Sequence, residues 1–234
     1  MVERPRTYLK SDARKLKLLE LGLRLFATRS YEDVAIEDVA REAGMSKGLL
    51  YHYFGSKRAF YTEVIRFAVE ALLERLVIDP TISGPDNVRR GLLAWFEFVA
   101  QQGDAYLAIM HGGLGADGAV GPILEDARRV LVQRILDGLE IEATGPASPT
   151  QAEVLPPPAL RIAVRSWIGM VETAALDWLT HRDLEPAPVI DILMAGLFAE
   201  LLVASHHSPG VRVKLDLASG LRLIMPLVQA AART

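Results

Sequence analysis

The stretch IEDVAREAGMSKGLLYHYF, residues 36–54, leaves the chain few ways to fold. Ile36, Val39, Ala40 and Ala43 recur at helical spacing, so IEDVAREAG reads as a short amphipathic helix. Glu37 and Asp38 stand in its first turn, where the helix dipole favours anions. Gly44 is a natural stop, because glycine takes the left-handed conformation that ends many helices. Ser46 is a capping residue for a second helix, KGLLYHYF, and the Gly55-Ser56 pair ends that helix and opens another. Two helices joined across Gly44-Met45-Ser46-Lys47 make the helix-turn-helix plan, in which the second crosses the first steeply. Leu50 and Phe54, four apart, supply the buried face of that second helix. Lys47, Leu49, Tyr51, His52 and Tyr53 remain for its exposed side, beside a Gly48 small enough to allow close approach.

GMSKG also fits G-x-S-x-G, the pattern that places a serine nucleophile in many hydrolases. That elbow needs a strand before the serine and a helix after it, at the top of a sheet. Here an amphipathic helix precedes Ser46, and no alternating run bounded by hairpin signals appears anywhere, so no sheet is expected. The HGG at 111–113 follows the serine, whereas the oxyanion motif of such hydrolases precedes it. Ser46 is therefore expected to be a cap, and a serine hydrolase is the weakest reading. With no cysteine, thiolate catalysis and disulfides are excluded. Five histidines without repeated spacing give no metal site, His111 included. No catalytic residue, metal or cofactor is expected.

The remainder also reads as helix. DARKLKLLELGLRLFATR carries apolar positions 18, 19, 22, 25 and 26, with Asp12 as its expected N-cap. A helix from Lys57 to about Val77 follows the second helix of the motif, and DPTISGPD (79–86) is turn material. Further helices are expected near 87–102, 104–111, 120–139, 159–181, 187–205 and 213–230, with a Pro-rich loop at 144–158. The fold class is all-α: an N-terminal three-helix domain over residues 1–60, then a helical domain over 61–234. Charge divides along similar lines, with 12 Lys/Arg against 8 Asp/Glu in residues 1–62 and 14 against 21 thereafter. A basic head on an acidic body suits a protein that touches phosphate with one end. The charged start MVERPRTYLKSDARKLK lacks the apolar run of a signal peptide. VIDILMAGLFAELLVA is interrupted by Asp191 and Glu200 and is short for a bilayer, so a cytoplasmic protein without a membrane partner is expected.

Phosphate is what the exposed side of KGLLYHYF can bind: Lys47, the tyrosine hydroxyls, Lys57 and the oriented N–H groups behind Ser46. Residues 18–65 resemble the DNA-binding domain of the TetR family of transcriptional regulators. The resemblance runs through Leu25-Phe26-Ala27, Tyr31, Ile36, Val39-Ala40, Ala43-Gly44, Ser46-Lys47-Gly48, Leu50-Tyr51, Phe54 and Lys57. It implies that Ser46, Lys47, Gly48, Leu49, Tyr51, His52, Tyr53 and Lys57 meet double-stranded operator DNA. Three positions depart from the family pattern. Ala35 stands where a Thr or Ser usually caps the second helix, and Leu49 where a Thr often lies on the DNA face. Ser30 replaces a common Gly after the first helix, a change costing about 1 kcal/mol if left-handed backbone is required there.

In ALRIAVRSWIGMVETAALDWL (159–179), Trp167, Val171, Ala174 and Trp178 form one stripe, with Arg161, Arg165 and Glu172 nearly opposite. Arg165 and Glu172 read either as a structural ion pair or as the polar end of a ligand cavity. The resemblance implies that this helix and 187–205, with its small residues Ala195, Gly196 and Ala199, pair with their copies in a homodimer. It also implies a small-molecule effector in the body, and the apolar composition points to a hydrophobic one. Trp95, Phe98, Tyr106, Met110, His111, Arg165, Trp167, Met170 and Glu172 are the candidates to bind it. The expected function is a ligand-responsive transcriptional regulator, a repressor released from a pseudo-palindromic operator. A helical ligand-binding module that no longer uses DNA is the alternative.

Overall fold

The first helix, α1 (Arg6–Thr28), buries Leu18, Leu21 and Leu25, three and four residues apart, with Phe26 next to the last of them. The computed structural model describes residues 6–110, 118–139, 141–143, 157–208 and 211–213. His111, residues 144–156 of the Pro-rich loop and residues 214–230 of the last expected helix lie outside the described residues. The described elements continue as α2 (Ile36–Ala43), α3 (Lys47–Phe54), α4 (Lys57–Arg75), α5 (Gly84–Gln101), α6 (Gly103–Met110) and α7 (Val120–Asp137). Then come β1 (Ile141–Ala143), α8 (Pro158–His181), α9 (Pro186–His206) and β2 (Val211–Val213). The fold is all-α, as the hydrophobic spacing predicts.

The chain divides into two compact units, Met1–Glu74 with Phe98–Glu125, and Arg75–Glu97 with Asp126–Thr234. In the first unit, α1 to α4 close around Phe60, Leu50, Val64, Val39 and Val34, each almost wholly buried. Tyr61 meets Phe26 edge-on at 4.8 Å, and Phe54 meets Phe60 at 4.9 Å. α1 and α4 approach so closely that a Cβ on Gly22 would lie 2.5 Å from Val64 Cγ2 and 2.7 Å from Phe60 Cζ.

Two expectations for α1 change. The helix starts at Arg6, so Asp12 lies inside it and is not its cap; RTYLKSDARK contains neither Gly nor Pro to delay the start. At the other end, Ser30 does not adopt left-handed backbone. Its hydroxyl donates to Asp33 Oδ2 at 2.6 Å and accepts from the Asp33 N–H at 3.2 Å, so the glycine penalty does not arise.

In the second unit, α8 and α9 form the main packing pair. Val164, Trp167, Ile168 and Val171 of α8 are buried with Ile190, Leu193, Met194 and Leu197 of α9. The Trp167 indole donates to the Leu193 carbonyl at 2.7 Å, and the Trp178 indole to the Leu184 carbonyl at 2.8 Å. The tryptophan stripe therefore belongs to this chain's own core, with both rings over nine-tenths buried, and is not left for a second copy. Gly196 faces inward too: a Cβ there would lie 2.5 Å from Met170 Cε. Burial against α8 accounts for part of the apolar character of α9. With 21 residues and a mean hydropathy of 2.0, α9 has the length and composition to cross a membrane, contrary to the shorter reading of its sequence.

A two-stranded antiparallel ladder pairs Ile141 with Val213, Glu142 with Arg212 and Ala143 with Val211, where no sheet was expected. Three residues per strand are too few to display a period of two, and partners so distant in sequence leave no hairpin signal.

Gly22→Val places a branched side chain where Val64 and Phe60 already fill the space. It is expected to lower stability by about 1–3 kcal/mol, read as a fall in the denaturation midpoint at unchanged m value.

Candidate nucleic-acid interface and ligand cavity

Ile36, Val39, Ala40 and Ala43 all face the core, as their spacing predicts. Ala35 offers no side-chain cap; its carbonyl accepts the N–H groups of Asp38 and Val39, and Glu37 and Asp38 complement the helix start. Gly44 closes α2 at φ 69°. The Gly44 N–H bonds the Arg41 carbonyl at 3.0 Å and the Met45 N–H bonds the Ala40 carbonyl at 2.8 Å, a Schellman motif. Lys17 Nζ reaches across from α1 to the Ala43 carbonyl at 2.9 Å and completes that helix end. Ser46 Oγ accepts from the Leu49 N–H at 3.2 Å and opens α3. Its hydroxyl is employed as a helix cap.

The exposed side of α3 carries Lys47, Gly48, Tyr51 and His52, while Leu49 and Tyr53 are half-buried and Leu50 and Phe54 are in the core. Tyr53 packs partly on the core of the first unit, so its ring is less available than that of Tyr51. Nothing lies within 4 Å of where a Cβ on Gly48 would be, so that surface is open.

Two lysines have partners that the sequence did not disclose. Lys47 Nζ forms an ion pair with the Glu37 carboxylate, joining the two helices of the motif. The hydrogen bond between them is the main reason that Glu37 sits below its ordinary pKa and Lys47 above its own. Lys47 Nζ also lies 5.7 Å from the centroid of the Tyr51 ring. Lys57 Nζ donates to the Glu32 carbonyl at 3.2 Å and sits 4.5 Å from the Tyr31 ring centroid, so it anchors the α1–α2 connection.

The second unit contains a cavity of about 600 Å³, within the usual size range of small-molecule sites. Of the residues singled out in the sequence, Trp95 and Trp167 line it. Arg165, Met170 and Glu172 do not, nor do Phe98, Tyr106 and Met110, which belong to the first unit. His111 lies outside the described residues. Glu172 accepts a hydrogen bond from Arg128 Nε on α7 at 2.8 Å. Among the described residues no cluster of three or more His, Asp or Glu could hold a metal ion.

Much of the lining comes instead from residues 75–91, part of which reads in the sequence as turn material. Asn87 straps this segment: its Oδ1 accepts from the Asp79 N–H at 2.8 Å and its Nδ2 donates to the Asp79 carbonyl at 2.8 Å. Arg90 Nη2 donates to the Val77 carbonyl at 2.6 Å. Ile82 was the available sign, an apolar residue in a stretch otherwise composed as a turn.

Comparison with known proteins agrees with this architecture. The family model for bacterial regulatory proteins of the tetR family matches residues 18–64. The model for the tetracyclin repressor-like C-terminal domain matches residues 85–200. A curated relative, the HTH-type transcriptional activator FasR of Mycolicibacterium smegmatis, is 25% identical over 131 residues, 55% of this chain and 60% of its own. The HTH-type transcriptional repressor KstR2 of Mycobacterium tuberculosis is 31% identical over 90 residues, 38% of this chain and 45% of its own. The chain thus spans about half the length of these relatives. The crystal structure of a tetR-family transcriptional regulator from Streptomyces coelicolor superposes with a TM-score of 0.73 at 25% identity, covering 95% of this chain and 96% of that one. With one family model on the helix-turn-helix unit and a second on the helices that follow, the chain belongs to the TetR family of bacterial regulatory proteins.

Proposed function

We propose that this chain is a one-component transcriptional regulator, acting in the cytoplasm, that binds operator DNA through α3 and leaves it when a small hydrophobic ligand fills the second unit. The observation that carries this reading is the α2–turn–α3 arrangement. Its second helix presents Lys47, Gly48, Tyr51 and His52 to solvent and keeps Leu50 and Phe54 inside. Residues 1–60 serve as the DNA-binding head and residues 61–234 as the ligand-binding and dimerisation body. Ser46, Lys47 and Lys57 contact phosphate, and Leu49, Tyr51, His52 and Tyr53 influence sequence choice. The relatives' names include both an activator and a repressor; repression is the simpler scheme for a protein that blocks its site until ligand arrives. With Ser46 Oγ engaged as a cap, no hydrolase chemistry is assigned to it.

One recognition helix reads only a few base pairs, so the protein acts as a homodimer on a pseudo-palindromic operator. The side chains that support this are exposed apolar residues on α8 and α9, which a lone chain leaves in water: Ile162, Ile192, Leu202 and Val203. Ligand then changes the separation of the two heads and so costs them half-site register.

Three outcomes are expected. Lys47→Ala with Lys57→Ala weakens binding to all sequences and lowers the salt slope of log K by about one or two, measured by anisotropy titration over a salt series. Unchanged affinity at matched salt defeats the interface. Glu37→Gln acts in the opposite direction: Lys47 loses its competitor for phosphate, and affinity for specific and nonspecific DNA rises together. Ala199→Glu places a charge on an exposed α9 position beside Val203, leaves the subunit's fold intact and shifts a dimer toward monomer in light scattering at micromolar concentration. A wild-type monomer that holds its operator tightly rules out the dimer scheme.

A further inference from the structure

The turn between α2 and α3 is held from outside by a residue that the proposed interface does not include. In the last turn of α2, the carbonyls of Ala40 and Arg41 accept the N–H groups of Met45 at 2.8 Å and Gly44 at 3.0 Å. Those two donors are thereby engaged, and the Ala43 carbonyl takes its hydrogen bond from Lys17 Nζ on α1 at 2.9 Å. Ala43 is buried in the core of the first unit, where a carbonyl left without a partner is costly. The end of α2 is therefore completed by a side chain and not by the local backbone alone.

The donor lies 26 positions earlier in the chain, beside the wholly buried Leu18, so the bond ties the turn to a fixed point of α1. Two positions before it, Lys15 Nζ meets Glu63 Oε2 of α4 at 3.3 Å. The same ammonium lies 5.8 Å from the ring centroid of Phe54, the last residue of α3. Neighbouring lysines of α1 thus act at both ends of the segment that carries α3. Ser46 Oγ, bonded to the Leu49 N–H, joins the turn rigidly to that helix. Ala43 stands four residues before Lys47, so any movement of the turn moves the exposed side of α3 with it.

We infer that Lys17 is a positioning residue for sequence recognition: through the Ala43 carbonyl it fixes the placement of α3 against base edges and makes no contact with DNA itself. The inference rests on reading α3 as the DNA-binding helix, and adds a determinant of discrimination outside that helix. Hydrogen bonds to base edges require a site held to within about 0.5 Å. Phosphates are met by long side chains from many placements, and those contacts carry no sequence information. Loosening the turn therefore falls on the specific complex and spares the nonspecific one. A lysine that touches phosphate behaves differently, because its loss weakens every complex and lowers the salt slope.

The test uses the full-length protein and two duplexes of equal length and base composition. One is enriched from a random library by the wild-type protein, and the other is its scrambled sequence. Lys17→Met keeps the aliphatic stem and removes the donor, and Lys17→Arg keeps a donor. Lys17 is exposed, so neither change disturbs the core, and circular dichroism at the assay temperature verifies that each variant is folded. Affinities are read by anisotropy over a salt series. Lys17→Met is expected to lose about fivefold or more on the enriched duplex, as the loss of one charge-assisted hydrogen bond provides. Its affinity for the scrambled duplex and its salt slope stay at the wild-type values, and Lys17→Arg recovers most of the specific affinity. Equal loss on both duplexes with a slope lower by about one makes Lys17 a phosphate contact and overturns positioning. An unchanged ratio of the two affinities with a lower melting temperature makes the bond a stabilising cap only, which also overturns it. The wild type is measured first: if it enriches no duplex, the DNA reading of α3 fails, and this inference with it.

Discussion

A helix must end and another begin within three residues, and the helix-turn-helix unit depends on that constraint being met. Gly44 supplies left-handed backbone at φ 69° without a Cβ penalty. The N–H groups of Gly44 and Met45 then close α2, while Ser46 Oγ opens α3. With both ends satisfied, the crossing of α2 and α3 is settled by local hydrogen bonds, and Leu50 and Phe54 have one way to reach the core. The exposure of Lys47, Gly48, Tyr51 and His52 follows from that crossing. Lys17, reaching the Ala43 carbonyl from α1, ties the turn to the rest of the unit.

The charges at this surface already have partners within the chain. Lys47 is held by Glu37, and Lys57 by the Glu32 carbonyl and the Tyr31 ring. On the proposed reading, phosphate competes with partners already in place, and the exposed Glu37 carboxylate adds repulsion of its own. Such competition lowers affinity for every sequence alike, which favours discrimination, because contacts to bases are not taxed in the same way. In the second unit, α8 and α9 give the cavity wall apolar side chains, and its charged side chains come from the end of α4, the segment after it, α5 and α7.

Much of the first unit was legible in the sequence because its signals are local. The α2 face, the Gly44 stop, the Ser46 cap and the buried pair Leu50 and Phe54 each follow from spacing within one or two turns. The departures at Ala35 and Ser30 were legible as departures, but their consequences were not. Ser30 escapes its expected penalty through a hydrogen-bonded turn with Asp33, a choice of backbone that residue type alone does not specify. The ladder of β1 and β2 left no trace, since three residues carry no usable period.

The sequence by itself determined the helical class, the helix-turn-helix and the face that α3 turns to solvent, because helical periodicity and capping act over a few residues. Only the tertiary structure decided where long-range partners lie. Trp167 and Trp178, Gly196 and Met170 are spent inside one subunit, which leaves Ile192, Leu202 and Val203 as the large apolar residues of α9 still in water. The cavity takes Trp95 and Trp167 from the residues the sequence suggested, and the rest from a segment that composition marks as a turn. Hydrophobic spacing says which side of a helix is buried, but not against what. That identity is set by packing among elements far apart in the chain.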